Sequence, residues 1–325
     1  MDMVDAAEGA LRWVLHLAEG EKMLVVTDEE RRRIGEAFQR AGERIGADVD
    51  LYVLTGERPF DEIPADLDAM IDGKDVVVNA FTGLPEETPF RIKLIRRETG
   101  TGARVGHAPG ITEDMMTVGP MTADYRDVAD LARRLMIAFE GAEKVHITAP
   151  GGTDIEVLIS GRAFQTDVTI EKGHMGNLPS GEIWCAPIED GANGRIVCDG
   201  SIGDLGEVPS PITIEVKDGR IVSISGDDKE FVDRVDELTH VDEMASVIGE
   251  LGIGVNPKAR ITGNLLEDEK AWRTAHIAFG NNESMPGGKN TSKTHRDFLF
   301  HRPTFNVTFA DGSTRILIKD GDILV

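Results

Sequence analysis

Basic residues are scarce in this chain of 325 residues. Lys and Arg total 35 against 58 Asp and Glu, a formal charge of -23 at pH 7. A field of that sign repels phosphate backbones and anionic lipid surfaces, so neither nucleic acid nor membrane is an expected partner. Cysteine is nearly absent. Cys185 and Cys198 are the only two, both inside apolar, strand-like segments, which leaves no disulfide framework and fits a reducing compartment. Their spacing matches no CxxC metal knuckle. No stretch is long and apolar enough for a membrane span. The opening MDMVDAAEGALRWVLHLAEGEK has no basic flank, no long apolar run and no small-residue cleavage site, so it does not read as a signal peptide, and a cytoplasmic location is expected.

Several familiar motifs are missing as well. TGTGARVG and APGGTD are glycine-rich but lack GxGxxG or Walker spacing between a strand and a helix. No GxSxG elbow and no HExxH pair occurs, which removes the serine-hydrolase and zincin readings. His16, His107, His146, His174, His240 and His301 stand singly, without the convergent partners that a ligand needs.

What is present is enough apolar residue, 40%, to bury a large core, and length favours two domains. From Lys22 to about Leu158, short apolar runs (MLVVT, DLYVL, DVVVNA, ARVGHA, KVHITA) alternate with amphipathic helical stretches. That alternation predicts an α/β domain with an open parallel sheet over residues 1–165. In the first such helix, opened by Asp28 and Glu29, Ile34, Phe38, Ala41 and Ile45 form the apolar stripe and Gly46 is the stop. Near Gly161 the texture changes to short strands divided by glycine turns. Asp-Gly pairs at Asp218 and Asp311 between alternating apolar residues are hairpin signals. An α+β, largely antiparallel domain is therefore expected over residues 166–325, with helices at DDKEFVDRVDEL and DEMASVIGEL.

The second half also carries the chemistry. In THRDF, His295 and Asp297 are two apart, so on a strand both side chains point to one face and can grip one cation. Glycine and small polar residues precede them in GGKNTSKTH, as expected where backbone approaches an ion or a substrate. His276 opens an apolar run in HIAFG. Glu250 stands alone among glycines and aliphatics in GELGIGVNP, and Glu182 leads directly into an apolar strand in PSGEIWCAP. A buried carboxylate without a partner is costly unless it is neutralised or coordinates a metal. Three carboxylates and two histidines supply enough donors for one or two divalent ions of borderline-hard type.

The ordered series PSGEIWCAPIEDGANG, GELGIGVNP, TGNLLEDEKAWRTAHIAFG and NTSKTHRDF resembles the thermophilic-type metallo-aminopeptidases, the aminopeptidase T and S family, over roughly residues 170 to 300. The resemblance implies that Glu182, Glu250, His276, His295 and Asp297 ligate a dinuclear centre of Zn or Co, with Glu250 bridging. It also implies a homodimer and attack of an activated water on a short peptide or small amide. Glu269, seven residues before His276 and so on the same helical face, is the candidate base or outer ligand; a solvated carboxylate in the run EDEK is the competing reading. Where that family presents a tyrosine after HIAFG, this chain reads NNES, with Glu283 at about that place as a second catalytic candidate. The short GGK segment before HxD is similar to 2,5-dihydroxypyridine dioxygenases, ring-opening Fe(II) enzymes on the same fold, which carry a histidine where this chain has Glu250. An Fe(II) dioxygenase, or a non-catalytic binding protein on the same fold, are the alternatives.

Overall fold

A computed structural model describes residues 1–325. Two compact units are interleaved along the chain: Met1–Ala129 with Asp167–Gly181 and Asn256–Ala259, and Asp130–Thr166 with Glu182–Val255 and Arg260–Val325. A single cut at residue 165 therefore gives way to several crossings.

In the first unit the strands Asp48–Leu54, Lys22–Asp28, Val76–Ala80, Arg104–His107 and Met175–Asn177 lie in that order in one parallel sheet. Val76–Ala80 is wholly buried, and only the first residue of Lys22–Asp28 is exposed. Burial on both faces explains why these strands read as continuous apolar runs without alternation. Helix Arg32–Ile45 buries Ile34, Phe38, Ala41 and Ile45, and Gly46 ends it at φ 97°. It begins later than Asp28, which instead closes the preceding strand and accepts the Arg31 amide at 2.9 Å. Leu24, Val26, Leu54, Val77, Phe81 and Phe90 form the heart of this core.

The second unit contains two largely antiparallel sheets, as the turn signals require. An eight-stranded sheet has the order Arg220–Gly226, Ile212–Lys217, Ala192–Cys198, Asp154–Leu158, Ala142–Thr148, Thr304–Phe309, Thr314–Lys319, Asp322–Ile323. Asp218 and Gly219 both take positive φ, 48° and 72°, at the tight hairpin that their sequence predicts. The strand containing KVHITA departs from the expectation. It pairs antiparallel with Asp154–Leu158 and Thr304–Phe309, so it belongs to this sheet and not to the parallel one.

The seven-stranded sheet has the order Gly206–Glu207, Ser201–Ile202, His295–His301, Thr274–Gly280, Ile248–Gly254, Glu182–Cys185, Gln165–Thr166. Here the helical reading of DEMASVIGEL fails. Asp242–Ser246 is a turn, and from Ile248 the chain is a strand buried at all seven positions. Apolar residues at 244, 247, 248 and 251 fit helical spacing equally well, and a strand walled on both faces gives no period-two signal to oppose it.

One cluster in the parallel-sheet unit couples stability to pH. Asn79 Nδ2 donates to Glu98 Oε2 at 2.8 Å and lies 3.4 Å from His107 Nδ1. Burial pushes the Glu98 carboxyl up to about 8. Burial, with Arg91 nearby, pushes His107 down to about 3. Both groups are thus neutral in the fold. The raised Glu98 contributes stability that is fully present below 4.5 and is lost as pH rises through about 8. The depressed His107 contributes stability present above 6.5 and lost as pH falls through about 3. Denaturation as a function of pH should therefore give a plateau from 4.5 to 6.5, where the two windows overlap and their opposite slopes cancel, and a fall on either side, toward about 3 and toward about 8, with slopes of at most about 1.4 kcal/mol per pH unit. Glu98→Gln should remove the alkaline limb; an unchanged limb in that variant contradicts the assignment.

Candidate metal centre

Strand periodicity delivers the predicted residues to one place. In the seven-stranded sheet Gly252 lies opposite His276 on one side and Trp184 on the other, Gly254 opposite Glu182, Glu250 opposite Ala278, Ala278 opposite Asp297, and Gly280 opposite His295. Residues opposite one another in an antiparallel pair share a face, and i and i+2 on one strand share it too. Glu182, Glu250, His276, His295 and Asp297 therefore all stand on the same face, drawn from four adjacent strands. A bulge between Ile248 and Glu250 sets that register: Ile248 faces the other way with Phe279, and Gly249 is the extra residue.

The donor atoms form two groups, Glu182 with Glu250 and His276, and Glu250 with His295 and Asp297, each with its atoms within 4.8 Å of one another. Glu250 belongs to both. Its Oε1 lies 3.3 Å from His276 Nε2 and its Oε2 lies 3.1 Å from His295 Nε2. His276 Nε2 is 3.5 Å from Glu182 Oε2, and His295 Nε2 is 3.6 Å from Asp297 Oδ1. His295 Nδ1 donates to the Asn281 carbonyl at 2.7 Å, which leaves Nε2 as the ligand nitrogen. Its side chain is 30% exposed, whereas those of Glu182, Glu250, His276 and Asp297 are all below 10%, so the group containing His295 is the open side of the centre.

Glycine makes room for this crowding. A Cβ on Gly252 would fall on the His276 imidazole at Nε2, and one on Gly254 would fall on the Ala271 carbonyl. The alternating glycines of GELGIGV thus keep the face clear beside the single carboxylate of Glu250.

Electrostatics follow from proximity. Burial works to raise Glu250, but hydrogen bonds and charge from His276 and His295 hold it down at about 2. Burial works to lower His276, and Glu250, Glu182 and Asp297 push it up to about 9. His295 is likewise driven well above its ordinary value, against burial, by Asp297 and Glu250.

Sequence reasoning assigned the neighbouring EDEK run poorly. Its helix, Leu265–Asp268, is a single turn, and Glu269 lies just beyond it while His276 is on a strand, so no helical face joins the two. Nor is the run solvated. Glu267 accepts from the Arg260 backbone and side chain at 3.0 and 3.1 Å, and Asp268 accepts the Thr262 amide at 2.7 Å. Glu269 nevertheless reaches the cluster. Burial raises its carboxyl, the adjoining Lys270 lowers it, and Asp297 raises it. Lys270, which the sequence did not single out, is fully buried; its Nζ lies 2.9 Å from Glu182 Oε1 and also pairs with Glu269. Glu283 is exposed on the Asn281–Ser292 loop, 3.5 Å from Asn281 Nδ2, and joins neither donor group.

These residues fit a divalent cation. Glu182, Glu250, Glu269 and Asp297 are four buried or nearly buried carboxylates beside one ammonium, an excess of negative charge that a divalent cation would offset where the imidazoles serve as neutral ligands. Carboxylate oxygens with one imidazole per group are a donor set that divalent ions of borderline-hard type take.

The sequence profile of the thermophilic metalloproteases, family M29, matches residues 122–323. The chain belongs to that family. It is similar to aminopeptidase AmpS of Bacillus subtilis (strain 168), 27% identical over 175 residues that make up 47% of this chain and 42% of that protein. The match thus spans less than half the length of that relative. Among solved structures it is similar to 2,5-dihydroxypyridine dioxygenase from Pseudomonas putida KT2440 (TM-score 0.76, 19% identity, 99% of this chain and 97% of that one). It is also similar to wild-type AmpT from Thermus thermophilus (TM-score 0.75, 18% identity, 99% of both chains). At these identities the two structures establish the fold that the chain shares with them.

Gly252→Ala tests the geometry directly. In a strand interior Ala is ordinarily favoured over Gly by roughly 0.5–1 kcal/mol. Here the added methyl should displace His276 and lower metal retention roughly tenfold or more, as other displaced ligand supports do. Elemental analysis of the purified variant checks this; full metal content would contradict the placement of His276.

Proposed function

We propose that this chain is a metal-dependent aminopeptidase acting on short peptides or small amides. The observation that carries the reading is the convergence of five ligand-type side chains on one sheet face as two three-donor groups sharing Glu250. Glu182, Glu250 and His276 would hold one ion, and Glu250, His295 and Asp297 a second, with Zn or Co as the ions of choice. Bound there, a divalent cation polarises a carbonyl and brings the pKa of water into the neutral range.

The chain's own groups do the rest. Glu269, raised by burial and by Asp297, is the carboxylate placed to hold a proton beside the centre, and Lys270 fixes its position. The carboxylate excess on this face suits a substrate with a free, positively charged amino terminus. Glu283, exposed and away from both groups, receives no proton-transfer role. The Fe(II) ring-opening alternative is weakened by one feature: each donor group holds a single histidine, whereas the non-haem iron triad takes two histidines and one carboxylate. A homodimer in the cytoplasm is part of the proposal, resting on the family resemblance.

Cobalt- or zinc-loaded protein should release the first residue from unblocked dipeptides and tripeptides and leave their N-acetylated forms intact. Glu269→Gln should lower kcat by about 100-fold or more while the protein retains its metal. Oxygen uptake on hydroxypyridines without peptide hydrolysis would overturn the reading.

A further inference from the structure

The two donor groups are not equivalent, and the difference traces to one side chain. Lys270 is fully buried, and its ammonium lies 2.9 Å from Oε1 of Glu182 while also pairing with Glu269. One oxygen of Glu182 is thereby committed to a cation that the protein itself supplies. The inner group, Glu182 with Glu250 and His276, offers two carboxylates with a fixed positive charge against one of them. The outer group, Glu250 with His295 and Asp297, offers two carboxylates and no lysine or arginine pairs with either. The outer group is also the more open, through the partly exposed His295.

From this asymmetry, and resting on the metal-centre reading above, we propose that Lys270 makes the two metal positions unequal. The outer group, Glu250, His295 and Asp297, takes the first equivalent tightly. The inner group takes a second only weakly, because an ion there must share Glu182 with the Lys270 ammonium and sit beside its charge. A unit charge a few ångströms away, at an effective dielectric near about 20, is worth more than a tenfold factor in affinity. Glu250 reinforces the order, since its charge is already partly neutralised once the outer position is filled.

Metal-stripped protein titrated with Co(II), followed by visible absorption and by equilibrium dialysis, tests the proposal without an activity assay. The wild type should bind in two steps with dissociation constants at least roughly tenfold apart. Asp297→Asn should remove or weaken the tight step while the inner position still binds, at its wild-type affinity or somewhat tighter because Glu250 is no longer shared. Lys270→Gln should leave the tight step and strengthen the weak one roughly tenfold or more, and Lys270→Met serves if the glutamine variant does not fold. A wild type that binds a single equivalent supports the proposal if Lys270→Gln admits a second, and overturns it if not. Two equal equivalents in the wild type, an unchanged ratio in the Lys270 variants, or loss of the weak step in Asp297→Asn would each overturn it. Stepwise cobalt binding by a protein that hydrolyses no peptide would leave this proposal standing and remove the peptidase reading; absence of any cobalt binding would remove both.

Discussion

Four carboxylates within hydrogen-bonding reach of two imidazoles and one ammonium, most of them shut away from water, form the constraint on which the rest of this site depends. Ion pairing with the histidines relieves part of the repulsion, which is why Glu250 is held down while His276 and His295 are pushed up. With the imidazoles neutral, as ligands must be, four carboxylates face one ammonium, and a divalent cation offsets two of the three charges left over while satisfying oxygen and nitrogen donors together.

The sheet exists in the form that this constraint needs. Its four central strands are largely buried, so their backbone is rigid and the face alternation is fixed. The bulge at Gly249 shifts the register by the single residue that turns Glu250 toward His276. Gly252 and Gly254 then leave the space that side chains would fill. Asn281 closes the arrangement by accepting the hydrogen bond from His295 Nδ1 on its carbonyl, while Asn282 donates from Nδ2 to the carbonyl of Gly249 at 3.0 Å. The loop that follows HIAFG therefore supports His295 and the bulge beside Glu250 through consecutive residues.

Much of this was legible in the chain. HxD on a strand, a lone glutamate among glycines and a glutamate leading into an apolar run each carry a local physical signature, and those four residues meet, together with His276. The parallel sheet was legible from its buried apolar runs, and the hairpins from their Asp-Gly turns. What escaped had no local signature. KVHITA reads as a buried strand in either kind of sheet, and only its distant partner Thr304–Phe309 decides which. VIGEL fits helical spacing as well as it fits a strand covered on both faces. EDEK looks like a solvated run because four consecutive charges usually are; here Arg260, Thr262 and Glu182 take up three of them. Lys270 was invisible for the same reason, since a buried lysine is recognised only by the carboxylates that the fold brings to it.

Crystals grown with Zn or Co and measured at the absorption edge of that metal give the most direct test of the central claim. The account predicts anomalous scattering within bonding distance of Glu250, flanked by His276 on one side and by His295 and Asp297 on the other. A fully ordered centre with no anomalous peak, or a peak bound elsewhere while these side chains face one another without an ion, would contradict it.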